Sequence, residues 1–173
     1  RGEQGALEQV NPYLVALLYA GDRAEASKSI RGWLAEGKVV IADRYVYSNI
    51  GYQCAKIDDE ASRWALCDWI LSTEYDEFAI PRPDVSLFLD VPFSFTERKL
   101  TQTREGDDRT YLQGGKDIHE ASLDLQRRVR SVYLDAAERY DDIKVVNCST
   151  ELGDMASPDT IYSRIMEHIA PLL

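Results

Sequence analysis

Three short runs, Val39-Val40-Ile41-Ala42, Val85-Ser86-Leu87-Phe88-Leu89 and Ile143-Lys144-Val145-Val146, are nearly continuous in apolar and often β-branched side chains. A strand with one wet face alternates apolar and polar residues. Runs that hardly alternate suit strands covered on both faces. Long segments with helical character separate them, roughly Asp59 to Phe78, Pro92 to Arg104 and Ile118 to Tyr140. Strands alternating with helices imply an α/β fold, a three-layer arrangement of a parallel sheet flanked by helices. Three strands make a small sheet, which points to a further strand ahead of them.

Capping residues mark the ends of other helices. Asn11-Pro12 reads as a helix start, with asparagine as the cap and proline at the first helical position. Leu14, Leu17 and Leu18, then Ile30 and Leu34, follow at helical spacing. Gly21 is placed to bend or divide this long segment, and Gly37 to stop it. The last helix is expected to start at Ser157-Pro158 and to bury Ile161, Ile165 and Ile169. No repeat or low-complexity linker interrupts the chain, so residues 1–173 read as one domain. The polar segment Arg104 to Lys116, with Gly114-Gly115 and several basic residues, reads as a mobile loop and a candidate lid. An ordinary helix connection is the alternative.

Charge and cysteine usage narrow the function. The formal net charge of −10 argues against a duplex nucleic-acid binder, which needs a basic face for the phosphates. Locally clustered arginines would still admit an anionic nucleotide. Cys54, Cys67 and Cys148 are odd in number and scattered, without a CxxC pair, as in a protein of the reducing cytoplasm. His119 and His168 lie too far apart in sequence to suggest a histidine metal site. No run reaches the ~18 apolar residues of a membrane span, and the start has no signal-peptide pattern.

The stretch Asp43-Arg44-Tyr45-Val46-Tyr47-Ser48-Asn49-Ile50-Gly51-Tyr52-Gln53 follows the first apolar run directly. Open α/β sheets bind ligands outside the carboxyl ends of their strands. There Arg44 could grip a phosphate through two parallel hydrogen bonds, and Asp43 could orient it or approach magnesium. A structural Asp–Arg pair closing a strand end is the competing reading. If Tyr45 to Gln53 is helical, Ser48 and Tyr52 share a face, with Asn49 and Gln53 one step round. That face suits the hydrogen-bonding edge of a base beside a sugar. Tyr19 and Arg23 form a second pair four residues apart that can stack on a base and bond its carbonyl; by itself such a pair is more often surface packing plus a solvated charge.

Together these residues resemble the dTMP-binding half of the thymidylate kinases. The resemblance begins at Leu17-Leu18-Tyr19-Ala20-Gly21-Asp22-Arg23 and passes through the Asp43-Arg44-Tyr45 element. It continues along Pro83-Asp84-Val85-Ser86-Leu87-Phe88-Leu89-Asp90-Val91, then through a basic lid into Lys116-Asp117-Ile118-His119-Glu120. It implies a P-loop nucleoside monophosphate kinase-like fold and transfer of a phosphoryl group from ATP, with Mg2+, to dTMP. By resemblance, Arg44 holds the dTMP phosphate, with Asp43 near the transferred group and the metal. Tyr19 stacks on thymine, Arg23 reaches base or phosphate, and Asn49, supported by Ser48, bonds the thymine edge. Tyr52 packs near C2′, and Gln53 lies at the pocket edge. Arg104 and Arg109 belong to the lid, Glu120 approaches the nucleotide, and Ser149 and Thr150 approach the adenine. A homodimer is implied as well.

One element of that family pattern is absent. The sequence contains no GxxxxGK[ST], the loop whose backbone amides cradle ATP phosphates. Gly114-Gly115-Lys116-Asp117 lacks its upstream glycine and its hydroxyl. The first strand and phosphate loop are therefore expected upstream, in a strand–loop–helix unit of ~30 residues or more. The alternatives are another nucleoside or nucleoside monophosphate kinase, or a nucleotide-binding protein without catalysis.

Overall fold

The computed structural model describes residues 10–96 and 123–173, so the expectations for Arg104, Arg109, Lys116 and Glu120 lie outside the described residues. The chain divides into two compact units, one running to Pro83 and one beginning at Asp84.

The first unit opens with helix α1, Pro12–Ala35. Asn11 Oδ1 accepts from the Tyr13 N–H at 2.9 Å, and Pro12 occupies the first turn, where a missing N–H costs nothing. Gly21 passes through the helix without breaking it. At the other end Gly37 adopts φ 73°, and the Gly37 and Lys38 N–H groups donate to the carbonyls of Leu34 (2.9 Å) and Trp33 (3.0 Å). A side chain would strain that left-handed turn, which is why glycine ends the helix.

The packed face of α1 differs from the one its leucines suggest. Ala16, Ala20 and Ser27 are buried, whereas Leu14, Leu17 and Leu18 are 49%, 42% and 64% exposed. Small side chains let the neighbouring helix come close to the backbone. That helix is α2, Val46–Cys54, and it is buried on most sides. Helix α3, Glu60–Leu71, starts where Asp59 Oδ2 accepts from the Ser62 N–H at 2.8 Å, and it runs on into a wide π-helical turn, Ser72–Glu77. Val46, Ile50 and Cys54 of α2 and Leu66, Cys67 and Ile70 of α3 are at most 1% exposed and form the core of this unit. Each large aliphatic among them contributes about 1.5–3 kcal/mol by leaving water.

The expected strand at Val39–Ala42 does not form. The segment is irregular, with Val39 71% and Ile41 89% exposed. β-branched apolar residues favour a strand only where another strand completes the ladder, and among the described residues none pairs with this segment.

The second unit holds the parallel sheet. Strand β1, Ser86–Asp90, pairs with β2, Ile143–Asn147, in the register Ser86 to Ile143 through Asp90 to Asn147. Helix α4, Leu123–Arg139, packs on β2 through its apolar stripe, and the Tyr133 ring stacks on Phe88 at 4.4 Å between centroids. Among the described residues the sheet has these two strands, one fewer than expected. Helix α5, Pro158–Ile169, starts as expected at Ser157, whose Oγ accepts from the Thr160 N–H at 3.2 Å. Ile161, Ile165 and Ile169 are half-buried rather than buried, because a single helix on an edge of a two-stranded sheet is covered on one flank. The described part of the chain is thus α/β, with a helical first unit and, in the second, two helices packed on a small parallel sheet.

Candidate functional site

Most of the expected base-and-phosphate residues fall in the first unit, on α1, on α2 and just ahead of α2. Arg44 sits at φ 67°, one of two non-glycine residues with a left-handed backbone among the described residues. For an L-residue this costs roughly 1–2 kcal/mol, and such strain tends to persist where it aims a side chain. Here it turns an exposed arginine towards Tyr52. Arg44 Nη2 donates to Tyr52 Oη at 3.4 Å, and its guanidinium carbon lies 5.2 Å from the ring centre. Asp43 is likewise exposed. No side chain caps the N-terminus of α2, since Tyr45 at the cap has no acceptor within reach. Its hydroxyl instead donates to the Pro81 carbonyl at 2.9 Å, and burial raises its pKa.

Along α2, Val46, Tyr47, Asn49, Ile50, Gly51, Gln53 and Cys54 are buried, which leaves Ser48 and Tyr52 as the partly open face. The expected shared face of Ser48 and Tyr52 therefore exists. Gln53 does not sit at an open edge: it is 1% exposed, and its Oε1 accepts from Lys56 Nζ at 2.7 Å. Burial lowers the pKa of Lys56.

Asn49 and Arg23 meet at a residue that sequence reasoning missed. Glu74, in the π-helical turn, has a completely buried side chain. Its two oxygens accept from Arg23, Nε to Oε2 and Nη2 to Oε1, both at 2.5 Å. Asn49 Nδ2 donates to the same Oε1 at 2.9 Å and to the Ala16 carbonyl at 3.0 Å. Asn49 Oδ1 is buried and has no hydrogen-bond partner among the described residues. The α1–α2 approach permitted by Ala16 and Ala20 thus ends in a polar cluster of one carboxylate, one guanidinium and one amide. A signal for Glu74 was present in the sequence. It lies four residues after Ile70 and eight after Leu66, so helical spacing puts a charged residue on the apolar face of α3.

Tyr19 is 43% exposed on α1, four residues before Arg23. The side-chain cluster brings Arg23 and Asn49 together, and the head of α2 brings Arg44 and Tyr52 together.

In the second unit, Ser149 and Thr150 follow β2 in a loop closed on itself. The Ser149 N–H donates to Asn147 Oδ1 (2.8 Å) and the Thr150 N–H to the Asp154 carbonyl (2.7 Å). Arg164 Nη1 donates to the carbonyls of Asn147 (2.5 Å) and Ser149 (2.9 Å). These internal bonds occupy both backbone donors that an adenine could otherwise have met. Among the described residues no three His, Cys, Asp or Glu gather as a metal site, and no helix is long and apolar enough to cross a membrane.

Comparison with known proteins gives one consistent family. A family model described as thymidylate kinase matches residues 4–157. A probable thymidylate kinase of Pyrococcus horikoshii is 37% identical over 143 residues, 82% of this chain and 60% of the relative. One of Thermococcus kodakarensis is 31% identical over 175 residues, 99% of this chain and 73% of the relative. The thymidylate kinase of Mycobacterium tuberculosis H37Rv is 33% identical over 137 residues, 79% of this chain and 61% of the relative. Against the two Pyrococcus relatives the chain spans about three fifths of their length.

Proposed function

Since the chain belongs to the thymidylate kinase family, we propose that the protein carrying it transfers a phosphoryl group from ATP to dTMP, giving dTDP and ADP for dTTP synthesis. The observation that carries this reading is Arg44, held in a strained left-handed backbone beside the uncapped head of α2. An exposed arginine just ahead of a helix suits a dianionic monophosphate, since its charge and its two parallel donors favour it. In this reading Tyr19 stacks on the base, Arg23 and Asn49 bind its polar edge, Ser48 supports them, and Tyr52 packs against C2′. A ribose 2′-hydroxyl would crowd Tyr52.

The ATP side rests on the resemblance. Ser149 and Thr150 lie near the adenine, Glu120 near the nucleotide, and Arg104 and Arg109 act from a lid of about residues 104–117. Phosphoryl transfer relies on positioning and on cations around the transferring group, the task assigned to those arginines. Asp43 would hold Mg2+: an exposed carboxylate fits an ion that takes one or two such ligands and fills its shell with water and phosphate oxygens. When bound, the ion offsets charge on those oxygens. We take residues 1–173 as one P-loop kinase-like domain with a three-layer core completed by an upstream strand and phosphate loop. Three buried cysteines outside any disulfide fit the reducing cytoplasm, a homodimer rests on the resemblance, and the net charge of −10 supports nucleotide rather than nucleic-acid partners.

The test is a coupled ADP-release assay on the complete protein with dTMP, dUMP, dCMP and dGMP as acceptors. Turnover confined to dTMP and dUMP supports the assignment, and Arg104→Ala or Arg109→Ala should then lower turnover more than dTMP affinity. Preference for dGMP or dCMP would assign a different nucleoside monophosphate kinase, and turnover of none would leave a binding protein.

A further inference from the structure

The polar cluster on α1, α2 and the π-helical turn asks why a carboxylate should be fully buried beside an amide. Arg23 and Asn49 are on different helices, and each has several rotamers and more than one way to present its hydrogen-bonding groups. An asparagine amide offers an acceptor or a donor pair depending on which way it is turned. A base edge distinguishes the two: thymine presents N3–H as a donor and O4 as an acceptor, whereas cytosine presents N3 as an acceptor and N4–H2 as a donor.

We infer that Glu74 is a positioning residue that sets base choice by fixing how Arg23 and Asn49 face the nucleotide. This inference rests on the proposed dTMP site. Glu74 Oε1 takes a hydrogen from Asn49 Nδ2, and the Ala16 carbonyl takes the other. With both donors held, the amide cannot turn over without setting Oδ1 against a carboxylate and a carbonyl oxygen. What it has left is Oδ1, buried at 3% residue exposure and without a partner among the described residues. An acceptor in that state matches the N3–H of thymine and repels the N3 lone pair of cytosine.

The same carboxylate fixes the guanidinium. Nε and one Nη2 hydrogen of Arg23 are bound to Glu74, which leaves Nη1 and the second Nη2 hydrogen as donors in a set plane. Donors there match the O4 carbonyl and oppose the N4 amine. Glu74 therefore converts two adaptable side chains into one acceptor and one donor. Arg23 in turn gives the buried charge of Glu74 its partner. A purely structural ion pair would need Arg23 alone; the shared bond to Asn49 Nδ2 ties the pair to the base-reading amide.

Glu74→Gln tests this, because it replaces one oxygen with a donor at nearly the same volume. Of the two acceptors that hold Nδ2, only the Ala16 carbonyl then still opposes a turn of the amide, and an Oδ1 turned inward gains the new donor, so the orientation with Nδ2 towards the base becomes populated. Calorimetry with dTMP and dCMP should show the preference for dTMP falling roughly tenfold or more, with dCMP binding tighter than to the wild type. A folded variant with the wild-type dTMP:dCMP ratio overturns the role of Glu74. If the wild-type protein binds neither nucleotide, the dTMP site itself is wrong, and this inference falls with it. A second measurement needs no variant. In the wild-type protein the Asn49 Nδ2 protons should exchange slowly before any nucleotide is added, and dTMP should shift the side-chain carbonyl carbon. Fast exchange of those protons would overturn the proposal even if Glu74→Gln does not fold.

Discussion

Arg44, two residues ahead of α2, reaches Tyr52 inside it, with the guanidinium 5.2 Å from the ring centre and a 3.4 Å contact to the hydroxyl. A hydrogen bond of that length is weak, so this contact by itself holds the guanidinium only loosely against the Tyr52 ring. The backbone strain at φ 67° is borne for the sake of the side chain. Function and stability should then separate at this position. Arg44→Ala and Arg44→Gly should both weaken dTMP binding by about 2–4 kcal/mol. Arg44→Gly should be the more stable of the two by about 1 kcal/mol, since glycine takes a left-handed backbone without penalty. Calorimetry and urea melts on the two variants check this, and equal melting behaviour would contradict the strain.

Asn49 carries a structural duty beside its base contact. Asn49→Leu deprives both the Ala16 carbonyl and Glu74 of a donor. The expected outcome is weaker dTMP binding with ATP binding unchanged, accompanied by a loss of about 0.5–1.5 kcal/mol in stability for each hydrogen bond removed, since Glu74 keeps its bonds from Arg23. Equal weakening of dTMP and ATP would show that the residue serves the fold alone.

Local chemistry was legible wherever one or two residues decide the outcome. Asn11-Pro12, Gly37 and Ser157-Pro158 set helix ends because capping depends on neighbours in sequence. The direction of packing was less legible. Leu14, Leu17 and Leu18 have the right spacing for a helix, yet α1 packs through Ala16 and Ala20, because a close approach to α2 needs small side chains. Val39–Ala42 has strand-forming residues but no pairing partner among the described residues, and pairing is a property of two segments. Within the site, the Asp43-Arg44 element and the Ser48–Tyr52 face were readable from spacing. Glu74 was not singled out, because a lone acid in a helix usually faces water, and only three-dimensional contact shows that Arg23 and Asn49 converge on it.

The start of α3 gives a pH-dependent effect that can be isolated. Asp59 accepts from Ser62, and that hydrogen bond lowers the carboxyl pKa below its ordinary value. A folded-state pKa below the unfolded one adds stability while the group is ionised, above the unfolded carboxylate range of about 3.9. That contribution is lost as pH falls through the lower, folded value. The difference in urea midpoint between wild type and Asp59→Ala should therefore be present at neutral pH and shrink in acid. Asp59→Asn, which caps without ionising, should differ from Asp59→Ala by an amount that stays flat. A gap that widens in acid would refute the cap.

Cys54 and Cys67 give the opposite sign at alkaline pH. The Cys54 thiol shares a hydrogen bond with Cys67, and this bond, together with burial in the α2–α3 core, pushes its pKa well above that of a free thiol. In the folded protein the group stays protonated at pH values where an unfolded cysteine, with a pKa of about 8.5, has lost its proton. The unfolded chain then binds fewer protons than the native one, so stability should fall as pH rises above that range, by at most about 1.4 kcal/mol per pH unit for the Cys54 thiol. Cys54→Ala should lower stability at neutral pH by leaving a small cavity, yet flatten the decline between about pH 8.5 and pH 10. The native protein should also resist alkylation, since the thiolate is the nucleophile and neither thiol meets solvent. Rapid alkylation of Cys54 or Cys67 by iodoacetamide under native conditions, with an unchanged far-ultraviolet spectrum, would place them outside the core.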